Sequence, residues 1–231
     1  VVFDTATTTA TTTAAGAVVR YIERKSGNVY NYTISNSMLS RLSNKTIPGV
    51  EQAVWLSDGS LAYLRYLSTT NNMETYALPA SGVGGFFFAQ GISGIAADGS
   101  KALLATASGE NGSIVTQTKI NDTSPFTAFQ TPLSSITVSF SGENYLVYTK
   151  PSATIAGYAF VVNKKTGAWV RIAGPLDGLV AKASPNGSTV LISYVDASGN
   201  MQMELVTVAT HQAIPLPVAT IATKCVWAPD S

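Results

Sequence analysis

A turn recurs along the chain at nearly even spacing, and this repeat constrains the fold more than any other feature of the sequence. It is present at Asp58-Gly59, Asp98-Gly99, Ser141-Gly142, Asn186-Gly187 and Asp230. Successive turns lie 40, 43, 45 and 44 residues apart. A fixed period of about 20 to 50 residues indicates a repeat architecture, in which each unit buries its apolar face against its neighbours.

Each repeat predicts the same four strands, which we call A to D. Strand A ends at the turn, where Asp-Gly or Asn-Gly supplies the positive φ angles of a tight hairpin. Runs rich in Val, Ile, Tyr, Phe and Thr follow, bounded by Gly, Asn, Pro and Ser, as is typical of strands. The predicted B strands are Leu61–Leu67, Ala102–Ala107, Tyr145–Thr149 and Val190–Val195; the C strands are Met73–Leu78, Ser113–Ile120, Tyr158–Asn163 and Met201–Val208; D strands include Gly85–Ala89 and Ala168–Ala173.

This pattern predicts an all-β fold, a β-propeller of about five four-stranded blades, because no segment sustains a helical period. Near the start, Ala17–Arg24, Asn28–Ser35 and Leu39–Ser43 match strands B, C and D, with no strand A before them. Near the end, Thr223–Asp230 predicts a strand A with nothing after it. Either the two chain ends complete one blade and close the ring, or further blades follow Ser231 and the sequence is part of a larger propeller.

The domain organisation is a Thr/Ala-rich linker over residues 1–16 and a propeller domain over residues 17–231. The linker is low in complexity and lacks the alternation that would bury one face. Within the domain, Trp55 and Trp227 occupy the same place in two repeats, which predicts core positions. Phe86-Phe87-Phe88 predicts blade core with one ring facing outward.

Composition excludes several functions. The net charge is +1, from 14 basic and 13 acidic residues, which gives no electrostatic footprint for nucleic acid or anionic lipid. No apolar run reaches the roughly 18 residues of a membrane span. The sequence has one cysteine, Cys225, and one histidine, His211, so that a zinc site of the usual type is excluded. The small number of cysteines and histidines does not exclude a calcium site built from carboxylates, but no metal or cofactor is predicted.

The turns resemble the repeat of the TolB-type, WD40-like propellers. Their repeat centres on Trp-Ser-Pro-Asp-Gly followed by an apolar strand, similar to Trp55-Leu56-Ser57-Asp58-Gly59-Ser60 and Ala183-Ser184-Pro185-Asn186-Gly187-Ser188. The resemblance covers residues 17–231 in five imperfect copies; Ser141-Gly142-Glu143 lacks the Asp. The resemblance implies a β-propeller fold, and it is much less specific for function than for fold.

A closer resemblance is to uncharacterised secreted propellers of candidate-phylum bacteria such as Parcubacteria. It lies in Ile22-Glu23-Arg24-Lys25-Ser26-Gly27-Asn28-Val29-Tyr30, in Leu42-Ser43-Asn44-Lys45-Thr46-Ile47-Pro48-Gly49-Val50-Glu51, and between Lys150-Pro151-Ser152-Ala153 and Gly157-Tyr158. The resemblance implies an extracytoplasmic location, periplasmic or at the cell surface, with tethering through an N-terminal anchor outside this segment. It implies no activity.

No catalytic set is predicted. A Ser-His-Asp triad would need His211, which looks like a turn or strand-edge residue, and no Gly-x-Ser-x-Gly elbow exists. Gly82-x-Gly84-Gly85 has no helix after it to hold a phosphate. Glu51 and Asp177, near the start of two A strands, are weak candidates for a pair of carboxylates acting on a sugar.

Binding is predicted at the face where the A strands begin, since propellers bind through loops at one end. The loops there are Pro48–Gln52, Leu133–Ser135, Asp177–Leu179 and Thr223–Lys224, and the candidate binding residues are Glu51, Gln52, Ser134, Ser135, Asp177 and Lys224. The leading hypothesis is an extracytoplasmic binding or scaffold module for a protein or glycan, without catalysis. The alternatives are a carbohydrate-active enzyme that uses axial carboxylates, and a structural cell-surface component that packs through exposed D strands.

Overall fold

The structure, a computed structural model, describes residues 11–13, 16–56, 58–88, 91–98, 102–119, 125–152 and 154–228. Over these residues the chain is built from antiparallel strands, and the one helical segment is a single 3₁₀ turn, Ala222–Lys224. The all-β prediction is therefore confirmed. The chain divides into two compact units, Val1–Leu103 with Lys119–Asp122, and Leu104–Thr118 with Thr123–Ser231, which we call unit 1 and unit 2.

The first two sheets each contain four strands that are neighbours in sequence and in space. Their apolar inner strands carry β-branched and aromatic residues, as strands prefer. The first sheet is β1 (Thr11–Thr13), β2 (Gly16–Ile22), β3 (Val29–Thr33) and β4 (Met38–Arg41); the second is β5 (Val50–Trp55), β6 (Leu61–Leu67), β7 (Met73–Pro79) and β8 (Phe86–Phe87).

The third sheet has the same plan, and the last two sets of strands form one continuous sheet of seven. The third consists of β9 (Ile92–Ala97), β10 (Ala102–Gly109), β11 (Gly112–Lys119) and β12 (Phe126–Thr131). The seven are β13 (Ile136–Ser141), β14 (Asn144–Thr149), β15 (Gly157–Asn163), β16 (Trp169–Ala183), β17 (Thr189–Val195), β18 (Met201–Thr207) and β19 (Ala213–Pro215).

The 15-residue strand β16 joins these last two sets. Its first half pairs with β15, with Trp169 opposite Val162, and its second half pairs with β17, with Ala183 opposite Val190. The register shifts between Asp177 and Val180, where the strand changes partner. The described strands thus form three sheets of four strands and one of seven, in which β16 takes both the D position of one set and the A position of the next; their arrangement as propeller blades stays a prediction.

The prediction that no strand precedes β2 is wrong. Thr11–Thr13 forms β1 and pairs antiparallel with β2, with Thr11 opposite Val18. Threonine is β-branched and favours extended backbone even without an alternating pattern, which is why a low-complexity run adds a strand here. The other residues of the predicted linker, 1–10 and 14–15, lie outside the described residues, so that the linker as a whole stays a prediction.

The strand A predicted over Thr223–Asp230 is also absent from the described residues of that segment. Ala222–Lys224 is a 3₁₀ turn, and its backbone groups bond elsewhere: Ser193 Oγ accepts from Ala222 N at 2.9 Å, and Lys182 Nζ donates to the Cys225 carbonyl. In the first sheet β2 pairs with β1 on one side and with β3 on the other, so β1 occupies the place that was predicted for the C-terminal strand. The predicted pairing of the two chain ends in one sheet is therefore wrong for the described residues.

The repeated turns have the predicted geometry where they are described. Gly59 and Gly187 adopt φ of 65° and 74°. The preceding Asp58 and Asn186 each accept a hydrogen bond from the backbone two residues on, at 2.9 and 2.8 Å. This is the Asx-turn chemistry that makes Asp-Gly and Asn-Gly strong hairpin signals. Gly99 and Ser100 lie outside the described residues.

Each unit has its own apolar cluster, built from buried residues of its strands and of the loops beside them. In unit 1 it includes Trp55, Leu64 and Val29, and in unit 2 it includes Leu146, Ile192 and Leu179. Trp55 is buried and Trp227 is half-buried against the cluster of unit 2, so the predicted core role of both is confirmed. Burying a Leu or Ile side chain stabilises a fold by about 1.5–3 kcal/mol relative to leaving it exposed, so each cluster stabilises the sheets of its own unit.

The exposure of the rings in Phe86-Phe87-Phe88 differs from the prediction. Phe88 packs edge-on against the buried Tyr63, with ring centroids 5.6 Å apart. Phe86 and Phe87 are both exposed, at 46% and 62%, whereas one outward ring was predicted. The strand β8 has only two residues, so the alternation that would turn one ring inward ends before it is established.

Candidate functional site

The candidate site is a groove in unit 2 of about 690 Å³, and we call it the β10–β11 groove. It lies where the turn between β10 and β11 meets the end of β12. Its walls combine one carboxylate, side-chain amides and hydroxyls with a few apolar side chains. The lining residues are Ala107, Ser108, Gly109, Glu110, Asn111, Gly112, Ser113, Ile114, Gln130, Thr131 and Pro132.

Buried hydroxyls hold the base of the groove in place. Ser113 is 2% exposed; its Oγ lies 2.9 Å from Ser108 Oγ and donates to the Leu133 carbonyl at 2.7 Å. Ser113 also lies opposite Thr131 in the β11–β12 register. These contacts fix the segment after β12 to the turn between β10 and β11, so that the groove has a defined wall on both sides.

Glycine shapes the rim of the groove. Gly112 has a φ of 112°, and a Cβ placed on it would lie 2.1 Å from the Thr131 carbonyl oxygen. Only a residue without a side chain allows the two backbones to approach this closely. Glu110, Asn111 and Gln130 are exposed residues of the groove lining with polar side chains.

Two predicted binding residues follow the groove directly in sequence. Ser134 and Ser135 are exposed and come two and three residues after Pro132. The Ser135 carbonyl accepts a hydrogen bond from Lys150 N at 2.9 Å, which anchors the loop to the start of the next one. Their role in binding stays a prediction.

Glu51 and Gln52 lie in unit 1, on β5. The exposed Glu51 carboxylate pairs with Arg24 Nη2 at 2.8 Å, and Arg24 Nε also donates to the Val50 carbonyl at 3.1 Å. Gln52 Oε1 accepts from Arg65 Nη1 at 3.3 Å. Both predicted residues therefore contact arginines, and an exposed pair of this kind contributes about 0–1 kcal/mol to stability.

Arg65 is the buried cation behind Gln52. It is 8% exposed, donates from Nη2 to the Ile92 carbonyl at 2.9 Å, and its Nε has no hydrogen-bond partner. No described carboxylate pairs with it, and burial lowers the pKa of its guanidinium. Arg65 thus links β5, β6 and β9 within unit 1 by hydrogen bonds rather than by an ion pair.

Asp177 and Lys224 lie in unit 2. Asp177 is exposed, opposite Val195 at the point where β16 changes partner. Lys224 is exposed at the end of the 3₁₀ turn, and its backbone N–H donates to Ile221. The two carboxylates predicted to act on a sugar, Glu51 and Asp177, belong to different units, and their joint action stays a prediction.

A second, smaller cavity of about 310 Å³ in unit 2 is lined in part by His211. The residue has a φ of 57° and its N–H donates to the Thr207 carbonyl at 2.8 Å, so its predicted turn position is confirmed. Asn144 and Asn163 line the same cavity and are joined by a 3.3 Å hydrogen bond. Valines form most of the remaining wall, which leaves little polar surface for a ligand.

Within the described part of the chain, no three His, Cys, Asp or Glu side chains come together as metal ligands. No described helix has the length and hydropathy to span a bilayer. The lone thiol of Cys225 is half-buried against the apolar cluster of unit 2.

Comparisons with known proteins bear on the fold. No family model matches the chain, and no curated protein matches it. Among solved structures, a putative TolB from Agrobacterium tumefaciens is 14% identical with a TM-score of 0.63, covering 86% of this chain and 76% of that one. TolB from Acinetobacter baumannii is 15% identical with a TM-score of 0.62, covering 89% of this chain and 53% of that one. The chain has the fold of the TolB-type β-propellers.

A third similar structure is an oligogalacturonate lyase in complex with manganese, 8% identical with a TM-score of 0.63. The alignment covers 87% of this chain and 62% of the lyase, so this chain spans less than two thirds of that protein, and about half of the Acinetobacter TolB. Identities this low establish the fold and no activity. Since no family or curated protein matches, the resemblance to candidate-phylum propellers stays a prediction.

Sequence reasoning missed the groove residues Glu110, Asn111 and Gln130. A signal was present: Gly109-Glu110-Asn111-Gly112 places two glycines around a two-residue hairpin turn. What the sequence did not reveal is that β12 ends beside this turn, because that depends on the register in which β12 pairs with β11, such as Ser113 opposite Thr131.

Proposed function

We propose that this TolB-type propeller chain is an extracytoplasmic binding or scaffold module that holds a protein or glycan ligand and catalyses no reaction. The observation that carries the proposal is the β10–β11 groove, whose volume and mixed lining fit a small polar segment of a ligand. Carboxylate, amide and hydroxyl groups at its rim supply hydrogen bonds with direction, which give specificity. The adjoining exposed loop with Ser134 and Ser135 extends the surface.

The proposed location rests on the resemblance of residues 22–30 and 42–51 to secreted propellers. The near-zero net charge is in keeping with a protein or glycan ligand rather than a nucleic acid. Fractionation of the native cells, with an antibody against the chain, tests the location. Recovery in the cytoplasmic fraction would contradict it.

Ligand screening on glycan arrays and peptide libraries tests the function. Two variants, Gln130→Ala and Glu110→Gln, each remove an exposed hydrogen-bonding group of the groove, and we expect each to weaken binding about tenfold. The matched control is Glu143→Gln in the turn between β13 and β14, an exposed carboxylate whose Lys165 partner is 3.4 Å away. Ligand binding that is equal in all four proteins would contradict a role for the groove.

A carbohydrate-active enzyme is the second candidate, favoured by the likeness to an oligogalacturonate lyase. It would use Glu51 and Asp177 as axial carboxylates. Incubation with acidic and neutral oligosaccharides tests it: an activity that Glu51→Gln and Asp177→Asn both abolish would favour the enzyme. A ligand that binds unchanged and is recovered intact would favour the binding module.

A structural component that packs through its D strands is less well supported. Three outer strands, β4, β8 and β19, contain only four, two and three residues, while β12 contains six. Short outer strands offer few unpaired backbone groups to another chain, which is one way in which sheet proteins avoid edge-to-edge association.

A further inference from the structure

The sequence contains two identical Asn-Gly-Ser segments, and in the structure their asparagine side chains differ in hydrogen bonding. Asn111-Gly112-Ser113 forms part of the β10–β11 groove, and Asn186-Gly187-Ser188 is one of the repeated turns. Asparagine followed by glycine is chemically labile, because glycine has no Cβ to hinder attack of its backbone nitrogen on the asparagine side chain. Local sequence is the same in both segments, so the fold decides which one reacts.

Asn186 is also exposed, but its side chain is held by hydrogen bonds. Its Oδ1 accepts from Ser188 N and from Ser184 Oγ, both at 2.8 Å. The attacking atom would be Gly187 N, which donates to the Ser184 carbonyl at 3.0 Å. Gly112 and Gly187 both pack closely against a neighbouring carbonyl, that of Thr131 and that of Ser141, so the two segments differ in their hydrogen bonds and not in this packing. Reaction at Asn186 requires this turn to open first.

The Asn111 side chain lacks the hydrogen bonds that hold Asn186. Its residue is exposed, and among the described residues its side chain has no hydrogen-bond partner. The groove of about 690 Å³ gives the amide room to rotate and gives water access. Gly112 is the first residue of β11, next to the exposed turn residues Glu110 and Asn111.

The geometry points to Asn111 as a site of spontaneous deamidation, with Asn186 protected by the fold. Gly112 N attacks Asn111 Cγ; the new C–N bond forms, the Cγ–Nδ2 bond breaks, and ammonia leaves with the proton of Gly112 N. Water then opens the succinimide ring, adding its hydroxyl to one carbonyl carbon and its proton to the ring nitrogen. The product is aspartate or isoaspartate, which places a second carboxylate beside Glu110.

This modification changes the charge of the groove, a consequence that rests on the proposed function. A neutral amide becomes an anion, so an anionic ligand is repelled and a cationic one is favoured. The chemistry itself needs no ligand and can be measured whether or not the groove is a binding site. Failure of one proposal is therefore distinguishable from failure of the other.

Peptide mapping by mass spectrometry tests the inference. The folded protein is incubated in mildly alkaline buffer and digested with trypsin, which releases Ala102–Lys119 with Asn111 and Ala183–Lys224 with Asn186. Because at least one hydrogen bond must break at Asn186, we expect Asn111 to deamidate about tenfold faster or more. In urea the two rates should become comparable, since the local sequences match.

Two results would overturn the inference. One is equal deamidation of both segments in the folded protein. The other is protection of Asn111 in the folded protein relative to its own rate in urea, by as much as Asn186. The variant Asn111→Gln is the control, and the modification of peptide Ala102–Lys119 should disappear with it.

Discussion

The backbones of Gly142 and Gly187, which belong to two successive repeated turns of unit 2, pack directly against each other. A Cβ on Gly142 would lie 2.4 Å from the Asn186 carbonyl oxygen, and one on Gly187 would lie 2.4 Å from the Ser141 carbonyl oxygen. Both glycines have positive φ, 55° and 74°. The turn glycine therefore serves two purposes: it allows the hairpin, and it allows the neighbouring turn to pack directly on the backbone.

The variant Gly187→Ala should lower the free energy of unfolding by about 3 kcal/mol, from backbone strain of about 1 kcal/mol and steric overlap with Ser141. Gly199→Ala is the matched control, because Gly199 has a φ of 82° with open space around it. It should cost only the strain. Urea unfolding measures both. Equal losses would mean that the close packing of the turns contributes nothing.

Arg65→Lys should make stability depend on pH. Burial that lowers the pKa of the Arg65 guanidinium would also lower that of a lysine ammonium below its usual value of about 10.4. Between the lowered pKa and about 10.4 the unfolded chain binds more protons, so the stability of this variant should rise with pH. Urea unfolding between about pH 7 and pH 10 measures the slope.

The reference for that slope is Arg65→Gln, which has no titrating group. Its stability should be lower than that of the wild type by about 1–3 kcal/mol at every pH, because the Ile92 carbonyl loses its donor. If Arg65→Lys and Arg65→Gln show the same pH dependence, the lysine is solvated and the site is not as closed as the burial of Arg65 indicates.

Tyr63 should contribute to alkaline unfolding. Burial raises the pKa of its phenol to about 12, against 10.0 in the unfolded chain. The neutral phenol is favoured in the folded state, so its contribution is complete below pH 10 and is lost as the pH rises toward 12. Removing the hydroxyl with Tyr63→Phe should reduce this loss by an amount on the order of 2 kcal/mol. Urea unfolding in alkaline buffers, with tyrosinate absorbance, checks the sign; an unchanged loss would contradict it.

Ser193→Ala should loosen the segment after residue 220. The hydroxyl of Ser193 accepts from Ala222 N, and both residues are buried, so the variant leaves a buried N–H unpaired. We expect a loss of about 1–3 kcal/mol and faster hydrogen exchange at Ala222. Ser188→Ala, at an exposed serine, is the control and should leave exchange there unchanged. Unaltered exchange in Ser193→Ala would show that Lys182 alone holds the segment.

The strands were predictable because their evidence is local. The B strand Leu61–Leu67 and the C strand that begins at Met73 were assigned by apolar content and flanking turn residues, and both match the structure. Asx-Gly turns carry their own geometry, so the period could be counted directly. The fold class followed from the period, since a four-stranded unit must bury its faces against another.

The chain ends and the site were less predictable because they depend on distant partners. Thr11–Thr13 becomes a strand through pairing with β2, and Ala222 becomes a turn through the hydroxyl of Ser193. The groove around Glu110 requires β12 to end beside the β10–β11 turn. None of these relations is encoded within a window of neighbouring residues.

The shared strand β16 also indicates where cleavage of the chain, or insertion of a peptide into it, should be hardest. Between the other successive sets, segments such as 80–85 and 132–135 lie outside the strands, where a protease or an inserted peptide can enter. Between β15 and β17 the backbone stays paired from Trp169 to Ala183, apart from the register shift. The last two sets should therefore survive limited proteolysis as one fragment, and a circular permutant opened within Trp169–Ala183 should fare worse than one opened at 80–85.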